Sequence, residues 1–147
     1  MLHPLNSKYV AVTPPNAILD DASATTNEID TLGFDYCTIL VQLGATDIAM
    51  GALKVQESDA SGSDFADVTG LVASGTSGDG RLPTATDDNK VFAFFIDLRG
   101  RKRYLDLVAT AGNGSLGTYV SAVAILSRAA TAPSSSSGRG LGGQFAV

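Results

Sequence analysis

The sequence has 147 residues, of which 44% are hydrophobic and 17% are charged, and its formal net charge at pH 7 is -5. Disordered chains are poor in apolar residues and rich in charge, so these values indicate one folded domain with its own core. The acidic balance argues against a general nucleic-acid coat, because phosphate binding requires a field of lysine and arginine. It favours a protein partner.

The N-terminal part of the chain predicts an arm followed by weak strands. Residues 1–8 contain Pro4 and Asn6, which break a strand pattern, and no continuous apolar run of a signal peptide. A short strand at residues 9–13 is expected to end before two adjacent prolines. Residues 22–30 are polar and predict an exposed strand.

A stronger strand is predicted at residues 34–43, because both of its faces are apolar in the middle. One face would carry Phe34, Tyr36, Thr38 and Leu40, and the other Cys37, Ile39, Val41 and Leu43. This pattern is typical of a strand covered on both sides, inside a sandwich or at a subunit contact. Gly44 is expected to end it. The lone Cys37 is predicted to be a buried filler, which suits a reducing cytoplasm.

Residues 52–57 alternate in the manner of a strand with one wet face. A long loop, residues 58–89, follows and is interrupted only at residues 65–71. Loops of this length are usually functional or lie against a neighbour.

Residues 91–126 form the most apolar part of the chain, with runs at 91–98, 104–111 and 118–126. Because the two links between these runs are short, the sequence predicts a three-stranded antiparallel meander. If Phe92, Phe94, Phe95 and Leu107 are all buried, each contributes about 1.5 to 3 kcal/mol.

The composition changes after Arg128, where residues 129–147 become rich in serine and glycine before an apolar end. We predict a flexible tail, for which two interpretations stay open: Phe145 and Val147 contact a neighbouring subunit, or the end is simply disordered. The domain prediction is therefore an arm at 1–8, an antiparallel all-β sandwich at 9–128 with seven or eight strands, and a tail at 129–147. A jelly roll is one candidate connectivity among the Greek keys.

Catalytic chemistry is not indicated by the sequence. The single histidine, His3, lies in the arm, and no cluster of histidine and cysteine is present for zinc. We expect no enzyme activity and no cofactor. Two interpretations stay open for the loop carboxylates, which are either oxygen ligands of a calcium site or ordinary solvated charges. They are Asp59, Asp64, Asp67, Asp87 and Asp88.

The most distinctive polar feature is the turn at residues 99–103, which carries Arg99, Arg101, Lys102 and Arg103. One interpretation is a solvated turn between strands. The other is a basic contact with acidic groups of a partner, since arginine pairs well with carboxylates.

The runs at 91–98, 101–111 and 118–128, with the turn at Asn113 and Gly114, resemble small structural proteins encoded beside the capsid genes of tailed bacteriophages. The resemblance spans residues 32–128 and consists of strand and turn patterns. It implies a head decoration or cement protein, a sandwich that oligomerises, often as a trimer, on the outer capsid and bridges neighbouring capsomers.

The partners that this resemblance implies are the major capsid protein and further copies of the chain, without nucleic acid or membrane. The implied location is the capsid surface of a virion, after synthesis in the host cytoplasm. Because no apolar stretch approaches the roughly 18 residues of a membrane span, we expect a soluble protein. Two alternatives stay open: a carbohydrate-binding or host-recognition module, and a coat or head-completion protein.

Overall fold

The computed structural model describes residues 3–145. Its elements in chain order are the 3₁₀ helix His3–Asn6 and the strands β1 Lys8–Thr13, β2 Ile18–Leu19, β3 Ile29–Asp30, β4 Phe34–Thr46, β5 Ala52–Ser58, β6 Ala66–Val72, β7 Val91–Asp97, β8 Tyr104–Thr110 and β9 Thr118–Ala129. No helix within residues 3–145 combines the length and the apolar character that crossing a membrane requires.

The strands form two antiparallel sheets. Sheet A has the order β1-β9-β4-β7, with β2 pairing on β9, and sheet B has the order β3-β8-β5-β6. The predicted antiparallel β-sandwich is confirmed, because the sheets pack face to face over one apolar core.

The core follows from the alternation of side chains along the strands. Its fully buried large members are Val12, Ile29, Ile39, Val41, Leu43, Leu53, Val55, Leu105, Leu107 and Leu126. They come from both sheets, and successive members of one strand are two residues apart, as the pleat of a strand requires. The face of β4 that points into the core is the one with Cys37, Ile39, Val41 and Leu43, and the predicted burial of Cys37 is confirmed.

The predicted meander is wrong. β7 pairs with β4 in sheet A, β8 pairs with β3 and β5 in sheet B, and β9 lies in the middle of sheet A. At each of the two short links the chain therefore passes from one sheet to the other. A link of six or seven residues spans the distance of about 10 Å between packed sheets as easily as it closes a hairpin. Link length alone does not separate the two arrangements.

Strand boundaries also differ from prediction, and β9 continues past residue 126 to Ala129. β4 continues through Gly44 to Thr46, with a register shift after Leu43, and a Cβ on Gly44 would lie 2.9 Å from the Cβ of Tyr119. The expected strand at residues 22–30 is reduced to β3, because the preceding residues make only a single bridge to β8, at Ser23.

The segments next to the two termini contact each other. Arg139 is 7% exposed; its Nε donates to the Leu5 carbonyl and its own carbonyl accepts from Tyr9 N–H at 2.7 Å. Gly140 has a φ of 74°, and a Cβ there would lie too close to the Tyr9 carbonyl. The middle of the predicted tail thus covers the outer edge of β1. Its predicted flexibility stays a prediction.

Candidate binding surface

The outer face of sheet A is apolar in its centre. Two rows of side chains run across the four main strands: Ala11, Val123, Leu40 and Ala93, then Tyr9, Ile125, Thr38 and Phe95. Side chains on this face alternate with buried ones along β4, β7 and β9, so they point away from the core. We call these eight residues the outer apolar rows.

Solvent reaches much of this face. Phe95 is 77% exposed and Val123 is 42% exposed, and Val91 beside the rows is 57% exposed. Polar residues border the rows, with Ser121 and Gln42 at one end and Ser127 and Asp97 at the other. An apolar centre with a polar border is typical of a surface that binds another molecule.

Part of this surface was predicted from the apolar pattern of β4. The two apolar faces of β4 predicted a strand covered on both sides, and within residues 3–145 only one of those faces is covered by the core. The possible burial of Phe95 is not realised, although Leu107 is buried and Phe92 and Phe94 are half-buried against the core. The alternation along β7 was the signal that separated Phe95 from its neighbours.

Each basic side chain of the turn at residues 99–103 has a carboxylate partner in the same chain. Arg99 Nε donates to Asp97 at 2.9 Å, and Arg103 donates to Asp30 at 2.8 and 2.9 Å. Arg101 lies 3.5 Å from Glu57, and Lys102 lies 3.6 Å from Asp59.

These pairs follow from the position of the turn, which carries the chain from sheet A to sheet B. Its carboxylate partners come from β7, from β3 and from the end of β5, so the turn is tied to both sheets. The guanidinium of Arg99 holds the pKa of Asp97 at about 2, and that of Arg103 also lowers the pKa of Asp30. The interpretation of this turn as a contact with an acidic partner stays a prediction.

The predicted contact residues of the tail lie at the end of the described chain. Phe145 has a fully exposed side chain and Val147 lies outside the described residues. Arg139 is the functional residue of this segment that no sequence pattern singled out. Its guanidinium also donates to the Pro133 carbonyl and to the side chain of Gln144, which organises the surrounding turn.

A cleft of about 630 Å³ lies between the edge strands β6 and β7. It is lined by apolar side chains such as Leu71 and Phe92, and by polar ones at Asp79 and Arg81. Arg81 also lies over the Phe92 ring, 5.4 Å from its centroid. The long loop predicted at residues 58–89 therefore supplies β6 and one wall of this cleft.

The loop carboxylates are engaged with the protein. Asp87 is fully buried and accepts hydrogen bonds from Arg81, from Lys90 and from Thr84, which lower its pKa far below the usual range. Asp67 accepts from Lys54 and Gln56. Residues 3–145 contain no group of three or more acidic, histidine or cysteine side chains able to hold a metal ion.

Cys37 is buried in β4, and this burial raises the pKa of its thiol to about 12. The thiol therefore stays protonated at neutral pH, in a position where it fills space in the core.

Comparisons with protein-family models, with curated proteins and with solved structures find no significant match to this chain. The function of this chain is therefore inferred from the geometry of the surfaces described above.

Proposed function

We propose that this chain is a structural protein, without enzymatic activity, that binds a larger assembly through the outer apolar rows of sheet A. The observation that carries the proposal is the exposure of Phe95 and Val123 at the centre of a regular sheet face. Burying such a surface stabilises a complex by about 25 cal/mol for each Å² of apolar area that is removed from water. A rigid sandwich that presents this face is suited to docking and not to catalysis.

We propose further that the assembly is a bacteriophage capsid and that the chain decorates and cements it by bridging neighbouring capsid subunits. The strand order supports this proposal: with β2 set aside, eight strands form two four-stranded sheets, β1-β9-β4-β7 and β3-β8-β5-β6. An eight-stranded double sheet of jelly-roll type is common in viral capsid and lectin domains. The sequence resemblance to phage decoration proteins supplies the kind of virus.

In this proposal the partners are the major capsid protein and other copies of the chain, with a trimer favoured by the resemblance. The chain would reside on the capsid surface of the virion. The exposed Phe145 at the end of the tail adds a second point of attachment, and linked contacts of this kind strengthen binding by raising the effective concentration.

The test is binding of the purified protein to preformed capsid shells that lack it. We expect the protein to occupy the shells and to raise the temperature at which they disrupt. Val123→Lys should lower the occupancy at least tenfold, because it places a charge in the middle of the outer apolar rows.

Leu116→Lys is the matched control, because Leu116 is 73% exposed in the link between β8 and β9 and lies outside these rows. It should bind as the original protein does. Equal binding of the Val123→Lys and original proteins would refute docking through this face. A chain that forms closed particles alone would instead be a coat protein.

A carbohydrate-binding module is the second candidate, and the cleft beside β7 is the observation that favours it. Its volume of about 630 Å³ lies in the range of small-ligand sites, and Asp79 and Arg81 provide polar groups. This candidate predicts a signal on a glycan array that Asp79→Ala removes. Shell binding without any glycan signal would reject it.

A further inference from the structure

The outer edge of β7 differs from the other three sheet edges. A free edge presents unpaired N–H and C=O groups to solvent, and proteins usually protect such edges against pairing with other chains. β1, β3, β6 and β7 are the edge strands. Each of the first three is protected in its own way.

β1 has a register shift between Ala11 and Thr13, and its outward backbone groups form hydrogen bonds with Arg139 and Asn27. β3 has only two residues. β6 pairs with β5 through a register shift and contains Gly70 at a φ of 86°. Short length, bulges and covering segments are the usual protections of an edge.

Within residues 3–145, residues 70–73 and 78–81 face β7 across the cleft described above without hydrogen-bonding to its backbone, and β7 itself is neither short nor bulged. Its seven residues pair with β4 in an unbroken register and include neither proline nor lysine. Within residues 3–145, the outer side of β7 forms no backbone hydrogen bond. The segment VFAFFID combines high strand propensity with a single charge, which makes its open edge a template for another strand.

The hydrogen bonds at the two ends of the β4–β7 pair determine which groups of β7 are free. Leu98 N–H donates to the Asp35 carbonyl, and Leu43 N–H donates to the Lys90 carbonyl. Hydrogen-bonded positions alternate along an antiparallel pair, so even-numbered residues of β7 bond to β4. The odd-numbered residues direct their N–H and C=O groups outward: Val91, Ala93, Phe95 and Asp97.

We propose that two copies of this chain join along β7 as an antiparallel two-fold pair, in which Ala93 of one copy lies opposite the partner's Phe95. This register also sets Val91 opposite the partner's Asp97, so all four outward residues of each strand are hydrogen-bonded. Sheet A then continues from one copy into the other.

Side-chain size supports this register. The outward backbone groups and the exposed side chains belong to the same residues, and Phe95 projects as the largest of them. Opposite it, Ala93 leaves space for the phenyl ring. The contact is isologous, because each copy supplies one Phe95 and one Ala93.

Charge supports the register as well. Asp97 is the only ionisable residue within β7. With Asp97 opposite the partner's Val91, the two carboxylates of the pair lie six residues apart, or about 20 Å. That distance exceeds the screening length of about 8 Å at physiological ionic strength, so their repulsion is weak.

The test is the mass of the full chain in solution, measured by sedimentation and by light scattering. We expect a dimer for the original protein and a monomer for Ala93→Pro. Proline at this position removes only an outward N–H, which an edge strand tolerates, so the sandwich should keep its circular dichroism spectrum. Ala93→Lys provides a second variant that blocks the edge without changing the backbone.

Val123→Lys is the control, since it alters the same outer face two strands away from the edge. It should remain a dimer, whereas loss of the dimer in this variant would indicate face-to-face packing and overturn the proposal. A monomeric original protein, or a dimer that persists in both folded Ala93 variants, would also overturn it. A two-fold pair cannot close a trimer, so the trimer that the sequence resemblance favours is an alternative to this dimer, and a trimeric original protein would also overturn the proposal.

This inference goes beyond the proposed function and can fail separately from it. Val91→Pro also removes an outward N–H of β7 but lies outside the outer apolar rows, so it should bind shells as a monomer, while Val123→Lys should lose shell binding as a dimer. The two measurements therefore distinguish edge pairing from docking through the face.

Discussion

Asp87 shows how one buried carboxylate organises a loop. The side chain is fully buried, and its two oxygens accept from Arg81 at 2.6 and 2.7 Å, from Thr84 N–H at 2.7 Å and from Lys90 at 2.9 Å. Two cations and a backbone donor stabilise the ionised form, since an isolated buried charge would be strongly unfavourable. The approach to β7 is held in place by this residue.

The hydrogen bonds of Asp87 predict a dependence of stability on pH. Its pKa lies far below the value of about 3.9 expected in the unfolded chain. The stabilisation is therefore fully present above this value and is lost as the pH falls below about 4 toward the pKa of the folded state. Asp87→Asn should lower the unfolding temperature at pH 7 by several degrees and reduce the loss of stability between pH 4 and 2.

The measurement is thermal unfolding across this pH range. Asp79→Asn serves as control, because Asp79 is exposed and forms no ion pair with any of residues 3–145. If the Asp87→Asn protein shows the same pH dependence as the original, Asp87 is not the group responsible.

Among the elements, the turn at residues 99–103 joins the two sheets, and the ion pairs of its basic side chains hold it to both. Glu57 at the end of β5 accepts from Lys102 N–H at 3.1 Å, and Asp30 in β3 accepts from Arg103. Arg99 and Arg128 flank Tyr36, with their guanidinium carbons 5.8 and 5.7 Å from the ring centroid. These contacts favour a structural role for the turn.

The role of this turn predicts the effect of removing its charges. Replacing Arg99, Arg101 and Arg103 with serine should lower the free energy of unfolding only slightly, as measured by denaturant unfolding, because solvent screens exposed ion pairs. Shell binding should remain. A variant that unfolds as the original does but no longer occupies shells would instead establish the turn as a contact with the capsid.

At the scale of the whole molecule, the two terminal segments complete the sandwich together. The C-terminal segment covers the outer edge of β1 through Arg139, while Asn27 donates to the Ala11 carbonyl further along the same edge. Residues far apart in the chain thereby protect an edge that would otherwise be open.

Deletion of residues 134–147 should separate two contributions of the tail. We expect the sandwich to remain folded and attachment to shells to weaken, since Phe145 is lost. Backbone amides of β1, Tyr9 first, should exchange hydrogen faster, because their cover is gone. Arg139→Ala in the full chain is the matched variant: it should increase exchange in β1 while retaining shell binding. Unchanged shell occupancy after the deletion would refute a role of the tail in attachment.

The class of the fold could be predicted from the sequence. The alternation along β4, β7 and β9 predicted which residues share a face, because the period of a strand is two whatever its partners are. Which face meets the core and which strands pair depend on tertiary packing, since a short link closes a hairpin or crosses between sheets equally well. Tertiary packing also determines the surfaces, because the carboxylates that pair with residues 99–103 lie as far away in the sequence as Asp30 and because Phe95 lies on the exposed outer face of sheet A.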